Sequence, residues 1–398
     1  MPQRILVLGG GVGGTIVANT VARELGSHEV DVTVIDATGQ HAYMPGWLYV
    51  PFDQADGVLL SHDERSLLKR RVNLVVAQVA KIDPVNREVT LAPGPGQTRI
   101  DDLHGAAEAV LPYDYLVIGT GSRLAPEDLT GLAGTEGKWH DFYSYEGARR
   151  LRSALHNFEG GRLVIAVGGI PHRCPPAPLE FTFLVEDWLS RRGLRSKTEI
   201  QYLYPINRVF TMEPVAEMVT PLLDQRGIKY TTFFNTESVD TERKVISSLE
   251  GEEVPYDLLV MIPPHRGAQV IEDSGLGDTQ GWIATDRNTL EVKGHDHVFA
   301  LGDATDLPIS KSGSAAHFEA KIVAARLIAA IRGEEPDPRS GTYDGEVMCF
   351  LETGHNAATQ LVFNYERPPQ PPHPSLYYHV EKTLFNRAYY HLVPQGRV

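Results

Sequence analysis

Cysteine is scarce in this sequence: 398 residues contain only two, Cys174 and Cys349, in opposite halves of the chain. Two thiols cannot staple a secreted scaffold, and without a Cys-x-x-Cys pair there is no thiolate metal site, so no metal is expected. Long hydrophobic runs are missing as well. Nothing approaches the roughly 18 uninterrupted apolar residues that a membrane-spanning helix needs. Positive charge is in deficit, with 37 Lys and Arg against 51 Asp and Glu giving −14. No basic run tracks a phosphate backbone, so nucleic acid is excluded as an expected partner. The N-terminus enters a strand directly, without the charged and then apolar pattern of a secretory signal. What remains, 42% hydrophobic and 22% charged residues, is the composition of a globular cytoplasmic enzyme.

The organisation that is present is a repeated one. An apolar run from Arg4 to Leu8 meets a glycine-rich turn at 9–14, a helical segment to Leu25 and a second apolar run, Val30 to Ile35, that ends in Asp36. This is a strand–turn–helix–strand unit of βαβ length. Alternating residues between 75 and 110, with a Gly/Pro turn at 93–96, predict antiparallel strands. The run from Arg162 to Gly169 echoes Arg4 to Gly10, and Tyr256 to Ile262 echoes Tyr113 to Ile118. Two copies of one layout in the same order predict an α/β protein with two Rossmann-like dinucleotide-binding domains.

The first copy carries a complete phosphate cradle. Gly9 permits the tight turn, Gly11 lets a pyrophosphate approach the backbone, and Gly14 lets helix pack on strand. The helix N-terminus supplies N–H donors, and Asp36 is placed to accept from a ribose hydroxyl. Gly121, closing the turn after Tyr115–Ile118, is a further cofactor candidate. The second copy departs from this pattern. Ile170 stands for Gly11, Pro171 removes a donor, and Arg173 stands for Gly14, so no NAD(P)H is expected there. In its place the chain reads Cys174, two prolines, and a segment to Glu180. Prolines suit a first helical turn, which predicts Cys174 at a helix N-terminus with a lowered thiol pKa.

The phrase from Val298 to Asp303 resembles the second FAD signature of two-dinucleotide-domain flavoproteins. That resemblance implies FAD, held by Gly302 and Asp303, with Lys311 and Gly313 opening a helix toward the flavin. Over nearly its whole length the chain resembles the sulfide:quinone oxidoreductase family. The resemblance rests on the Gly9 turn, Tyr43 and Pro45, Tyr49 and Pro51, the Cys174–Glu180 stretch, the Lys311 turn, and the Cys349–Gly354 segment with its aromatic tail. It implies sulfide as donor, membrane quinone as acceptor, Cys174 and Cys349 as sulfur-carrying redox cysteines, and Glu180 as proton acceptor. It also implies non-covalent FAD, since both cysteines are then in use. One departure is plain: the third cysteine that many members carry after the Gly121 turn is missing between 121 and 140.

The expected boundaries are an FAD-binding domain at 1–120 and 290–335, a second Rossmann-like domain at 121–289, and a redox and membrane segment at 336–398. Its last part, 375–398, carries five aromatics and a formal +2 on an acidic protein. This predicts an interfacial helix on a membrane surface, with Phe385, Tyr389 and Tyr390 toward quinone. The protein is then cytoplasmic or peripheral on the inner face of the cytoplasmic membrane, and a homo-oligomer is compatible. Two other readings share these residues: a sulfide dehydrogenase flavin subunit that reduces a cytochrome, and a thiol-based redox sensor without turnover.

Overall fold

The computed structural model describes residues 1–55, 59–92 and 109–396. The Gly/Pro turn at 93–96 and Arg397 of the tail lie outside the described residues. The run Ile5 to Leu8 is apolar at every position because it forms the middle of a parallel sheet covered on both faces, and all four residues are buried. Across this first sheet the strands run Val298–Ala300, Tyr115–Ile118, Gln3–Leu8, Val30–Asp36 and Val72–Val76, all parallel. The helix Val12–Glu24 crosses over its face.

A second parallel sheet has the order Lys229–Thr231, Thr198–Leu203, Gly161–Val167, Leu258–Ile262. The two sheets carry the same backbone-to-carboxylate hydrogen bond at the start of the repeat. The Arg4 backbone N–H donates to Asp114 at 2.7 Å, and the Arg162 backbone N–H donates to Asp257 at 2.7 Å. In each case an Asp preceding one strand pins the first residues of its neighbour, so the register is the same in both copies. The predicted antiparallel region is a three-stranded sheet of Gln78–Asp83, Glu88–Ala92 and Ala109–Pro112.

Three later elements close the molecule. The helix Gly313–Arg332 is capped by the Ser312 side chain, which accepts from Ala315 N–H, and it packs along Val12–Glu24. A hairpin of Val347–Gly354 and Ala357–Phe363 lies against the helix Ala177–Arg191. The tail helix Leu376–Leu392 lies across that hairpin. Among the described residues no helix is long and apolar enough to cross a membrane.

Candidate active site

The glycines of the first turn do what their spacing requires. A Cβ on Gly9, whose φ is +99°, would lie 2.4 Å from the Gly119 carbonyl oxygen, and one on Gly14 would lie 2.0 Å from that of Gly9. Strand, turn and helix are therefore in backbone contact, which any side chain would break. Gly11 is the opposite case: a Cβ there meets nothing within 4 Å. It faces open space, as a pyrophosphate cradle must. Asp36 stands at the end of its strand beside this turn. Its carboxylate accepts from Gly10 N–H at 2.9 Å and from Thr38 and Gly39 N–H at 2.8 Å each. It fixes the turn, with Oδ1 taken up by Thr38 and Gly39 while Oδ2 keeps a lone pair free for a further donor such as a ribose hydroxyl.

On the far side of the cleft, Gly121 and Gly302 both have positive φ, and Asp303 is held by the Ser122 hydroxyl at 3.2 Å. Burial pushes the Asp303 carboxyl up, against the pull of Arg173 and Lys311. Lys311 is buried, donates to the Thr305 carbonyl at 2.6 Å and stands 3.8 Å from the centre of the Trp282 ring. Gly313 begins the long helix. Sequence reasoning missed Glu319, one and a half turns further on. It accepts from Gly302 N–H, and burial raises its carboxyl to about 7. Its only signal was a polar residue on an alanine-rich helix face. Glu319 Oε1 and Thr120 Oγ are buried without a partner. Open space at Gly11 and these unpartnered atoms fit a polar dinucleotide bound along the cleft.

The two cysteines converge on one turn. Cys174 N–H donates to the Lys311 carbonyl at 2.6 Å, and the Cys349 thiol is hydrogen-bonded to the Ser312 side chain. The strand carrying Cys349 is tied to the same turn through Met348 N–H and Ser314 Oγ, 2.9 Å apart. Both thiols are unpaired. The expectation of a thiolate at Cys174 is not met. The helix begins at Ala177, and Cys174 lies before it with φ of +45°, a conformation that costs a non-glycine residue about 1–3 kcal/mol. Burial first, then the negative charge of Glu180, pushes its thiol far up, and the Ala177 N–H recovers little. The same two causes push Cys349 up to about 12.

Glu180 is buried beside both thiols, and burial raises its carboxyl. Sequence reasoning missed its partner: Lys382 of the tail helix donates to Glu180 Oε1, which also accepts from Glu352 N–H at 2.8 Å. Lys382 is held protonated by Glu180, Tyr49 and Glu352 despite its burial. Glu352 is in turn paired with His379 at 3.1 Å.

The tail helix therefore faces inward with its polar residues, which corrects the sequence-based picture. Tyr389 and Tyr390 are buried: the Tyr389 hydroxyl lies 2.8 Å from His41 Nε2, and Tyr390 donates to the His41 carbonyl at 2.9 Å. Phe385 is half-buried against the same core. Their aromatic rings pack on Tyr43 and His41 and so dock the helix. The buried Lys382 is likewise removed from the helix's outward charge. The outward face carries Leu376, Tyr377, Val380 and Leu384, which are 61%, 68%, 46% and 60% exposed.

The second turn keeps Gly168 and Gly169 but has lost its later glycines and its geometry. Three residues, 9–11, separate strand from helix in the first copy; nine, 168–176, separate Val167 from Ala177 in the second. No helix N-terminus meets the strand end there, and Arg173 folds back to donate to the Tyr143 carbonyl at 2.9 Å.

Two parallel nucleotide-type sheets, one intact cradle and a thiol pair beside it define a two-domain dinucleotide-binding oxidoreductase. The chain belongs to the pyridine nucleotide-disulphide oxidoreductase family, whose model matches residues 3–321. It is 26% identical to the mitochondrial sulfide:quinone oxidoreductase of Mus musculus, across 92% of this chain and 79% of that protein. It is 22% identical to the type II NADH:quinone oxidoreductase of Staphylococcus aureus, across 87% of this chain and 90% of the other. Among solved structures, the sulfide:quinone oxidoreductase of Aquifex aeolicus matches with a TM-score of 0.81 and 19% identity, covering 99% of this chain and 92% of that one.

Proposed function

We propose that this protein is an FAD-dependent sulfide:quinone oxidoreductase. The observation that carries the reading is the convergence of Cys174 and Cys349 on the Lys311–Ser314 turn, where the intact cradle ends and the long helix begins. The similarity to sulfide:quinone oxidoreductases along almost the whole chain supports it. The disrupted second turn favours sulfide over a nicotinamide donor.

FAD, held non-covalently by Gly9, Gly11, Gly14, Gly121, Gly302, Asp303, Lys311 and Gly313, supplies a two-electron acceptor when bound. The residues do the rest. With the pair oxidised to a disulfide, hydrosulfide attacks the Cys174 sulfur. That step forms a persulfide on Cys174 and releases Cys349 as a thiolate. Ser312 donates to Cys349 and so stabilises that leaving thiolate, while burial makes it a strong nucleophile. Glu180 takes the S–H proton. With bound FAD to take up the electron pair, the Cys174 persulfide and Cys349 would rejoin as a trisulfide, and hydrosulfide attack on its middle sulfur would again release Cys349 and lengthen the chain on Cys174. The outward face Leu376, Tyr377, Val380 and Leu384 rests on the membrane surface from which quinone is drawn.

Steady-state assay of the FAD-loaded protein with sulfide tests the reading. Reduction of a soluble quinone analogue, with little transfer to cytochrome c, is expected. Cytochrome c as the preferred acceptor points to a sulfide dehydrogenase instead. Reduction of the flavin without turnover on either acceptor points to a sensor.

A further inference from the structure

Oxidising sulfide beside the buried Glu180 leaves a proton there, and among the described residues a line of polar groups connects that site to the surface. Each hydrosulfide that becomes sulfane sulfur gives its electron pair to FAD and its S–H proton to a base. Glu180 is beside both thiols but is buried, so the proton cannot leave from Glu180 itself. Near Cys174 stand His172 and His265, also buried; burial pushes His172 down to about 4 and lowers His265 well below its ordinary value, which disfavours a charged imidazole at either.

From Glu180 a line of polar groups runs to the surface. Lys382 donates to Glu180 Oε1, and the same oxygen accepts from Glu352 N–H at 2.8 Å, which brings the Lys382 and Glu352 residues together around one carboxylate. The Glu352 carboxylate lies 3.1 Å from His379 Nδ1 through either oxygen. His379 is half-buried, and with Tyr49 and Glu352 it lines a cavity of about 200 Å³ between the tail helix and the hairpin. We propose that His379 is the outlet of a proton path that runs from the redox thiols through Glu180, Lys382 and Glu352 to this cavity. The inference rests on the sulfide-oxidising reading above.

The path follows from charge balance. A proton arriving on Glu180 removes the anion that holds Lys382 charged, while burial of Lys382 still opposes its charge. Lys382 then passes a proton toward Glu352, which hands one to His379 Nδ1, and His379 releases it to water in the cavity. The net result is one proton delivered outside for each hydrosulfide oxidised, with Glu180 and Lys382 restored as an ion pair. The groups facing His379 are Glu352 from the hairpin, Lys382 from its own helix and Arg191 from the helix Ala177–Arg191. The first outweighs the others and raises its ionisation above the ordinary 6.5. The path needs neutral His379, so it opens as pH rises through that ionisation.

Stopped-flow reduction of the FAD-loaded protein by sulfide, followed across pH for wild type and His379→Asn, tests this. Taking the ratio of the two rates cancels the ionisation of sulfide itself. The ratio should be near one at low pH and should fall about tenfold or more at high pH, and added imidazole should restore the variant. A ratio that does not change with pH, with no effect of imidazole, overturns the path. If His379→Asn fails to load FAD, Glu352→Gln is held to the same pH-ratio criterion; it removes the carboxylate while keeping the backbone bond to Glu180. Failure of wild type itself to be reduced by sulfide counts against the proposed function, a separate outcome.

Discussion

At the scale of single residues, burial outweighs helix position. The prolines after Cys174 do mark the start of a helix, yet desolvation and Glu180 override the favourable N-terminal field. Cys349, pushed up to about 12 from an ordinary 9.0, should be alkylated at pH 8 about a thousandfold more slowly than a free cysteine. Rapid alkylation at that pH would show that the thiolate is stabilised after all. Cys349→Ser should bind FAD normally and lose sulfide-driven flavin reduction by about three orders of magnitude. Retention of more than about a tenth of the wild-type rate would remove Cys349 from the chemistry. Glu319 gives a stability prediction with a definite sign. Its folded carboxyl titrates near 7 against an ordinary 4.5, so the strain of ionising it is absent below about pH 4.5 and fully present above 7. Glu319→Gln should therefore raise unfolding free energy at pH 8.5 by up to about 3 kcal/mol and change it little at pH 5. Denaturant titrations at both pH values check this, and an equal effect at both contradicts it. Spacing alone located the tight strand–helix turn at Gly9, Gly11 and Gly14 because such a turn is a local device. Lys382 as the partner of Glu180 was not legible, since 202 positions separate them.

At the scale of elements, the tail helix has two working faces. Lys382, Asn386, Tyr389 and Tyr390 point inward to Glu180, Tyr43 and His41. Leu376, Tyr377, Val380 and Leu384 point outward at near-helical spacing. Periodicity in the sequence identified the helix and its aromatic content. Which aromatics face out depends on the hairpin beneath them, which no local pattern specifies. The two faces predict different losses. Changing all four outward residues to serine should abolish co-sedimentation with liposomes, since each apolar side chain contributes about 1.5–3 kcal/mol of attachment. Flavin reduction by sulfide should survive that change. Removing the whole segment from Ser375 should damage the sulfide step as well, because Glu180 is left buried without its lysine at about 3–5 kcal/mol. A truncated protein that keeps a normal sulfide step would show that the Glu180–Lys382 pair is dispensable.

At the scale of the whole molecule, one duplicated architecture has been given two fates. The matching Arg4–Asp114 and Arg162–Asp257 bonds show how closely the copies agree at the base of each sheet. They diverge at the opposite strand ends, where one keeps a three-residue glycine turn and the other a nine-residue loop ending at Cys174 and its prolines. That divergence was legible because Ile170, Pro171 and Arg173 are chemically incompatible with a phosphate turn wherever the fold places them. The approach of Cys349 was not, because it depends on the hairpin meeting the Ser312 turn. The central claim is that the second copy has exchanged a nicotinamide donor for a thiol pair that takes electrons from sulfide. The most direct test is anaerobic flavin absorbance of the purified FAD-loaded protein after one addition of sulfide, NADH or NADPH. Prompt bleaching by sulfide and none by either nicotinamide is expected. Prompt bleaching by NADH with a sluggish response to sulfide would contradict the claim.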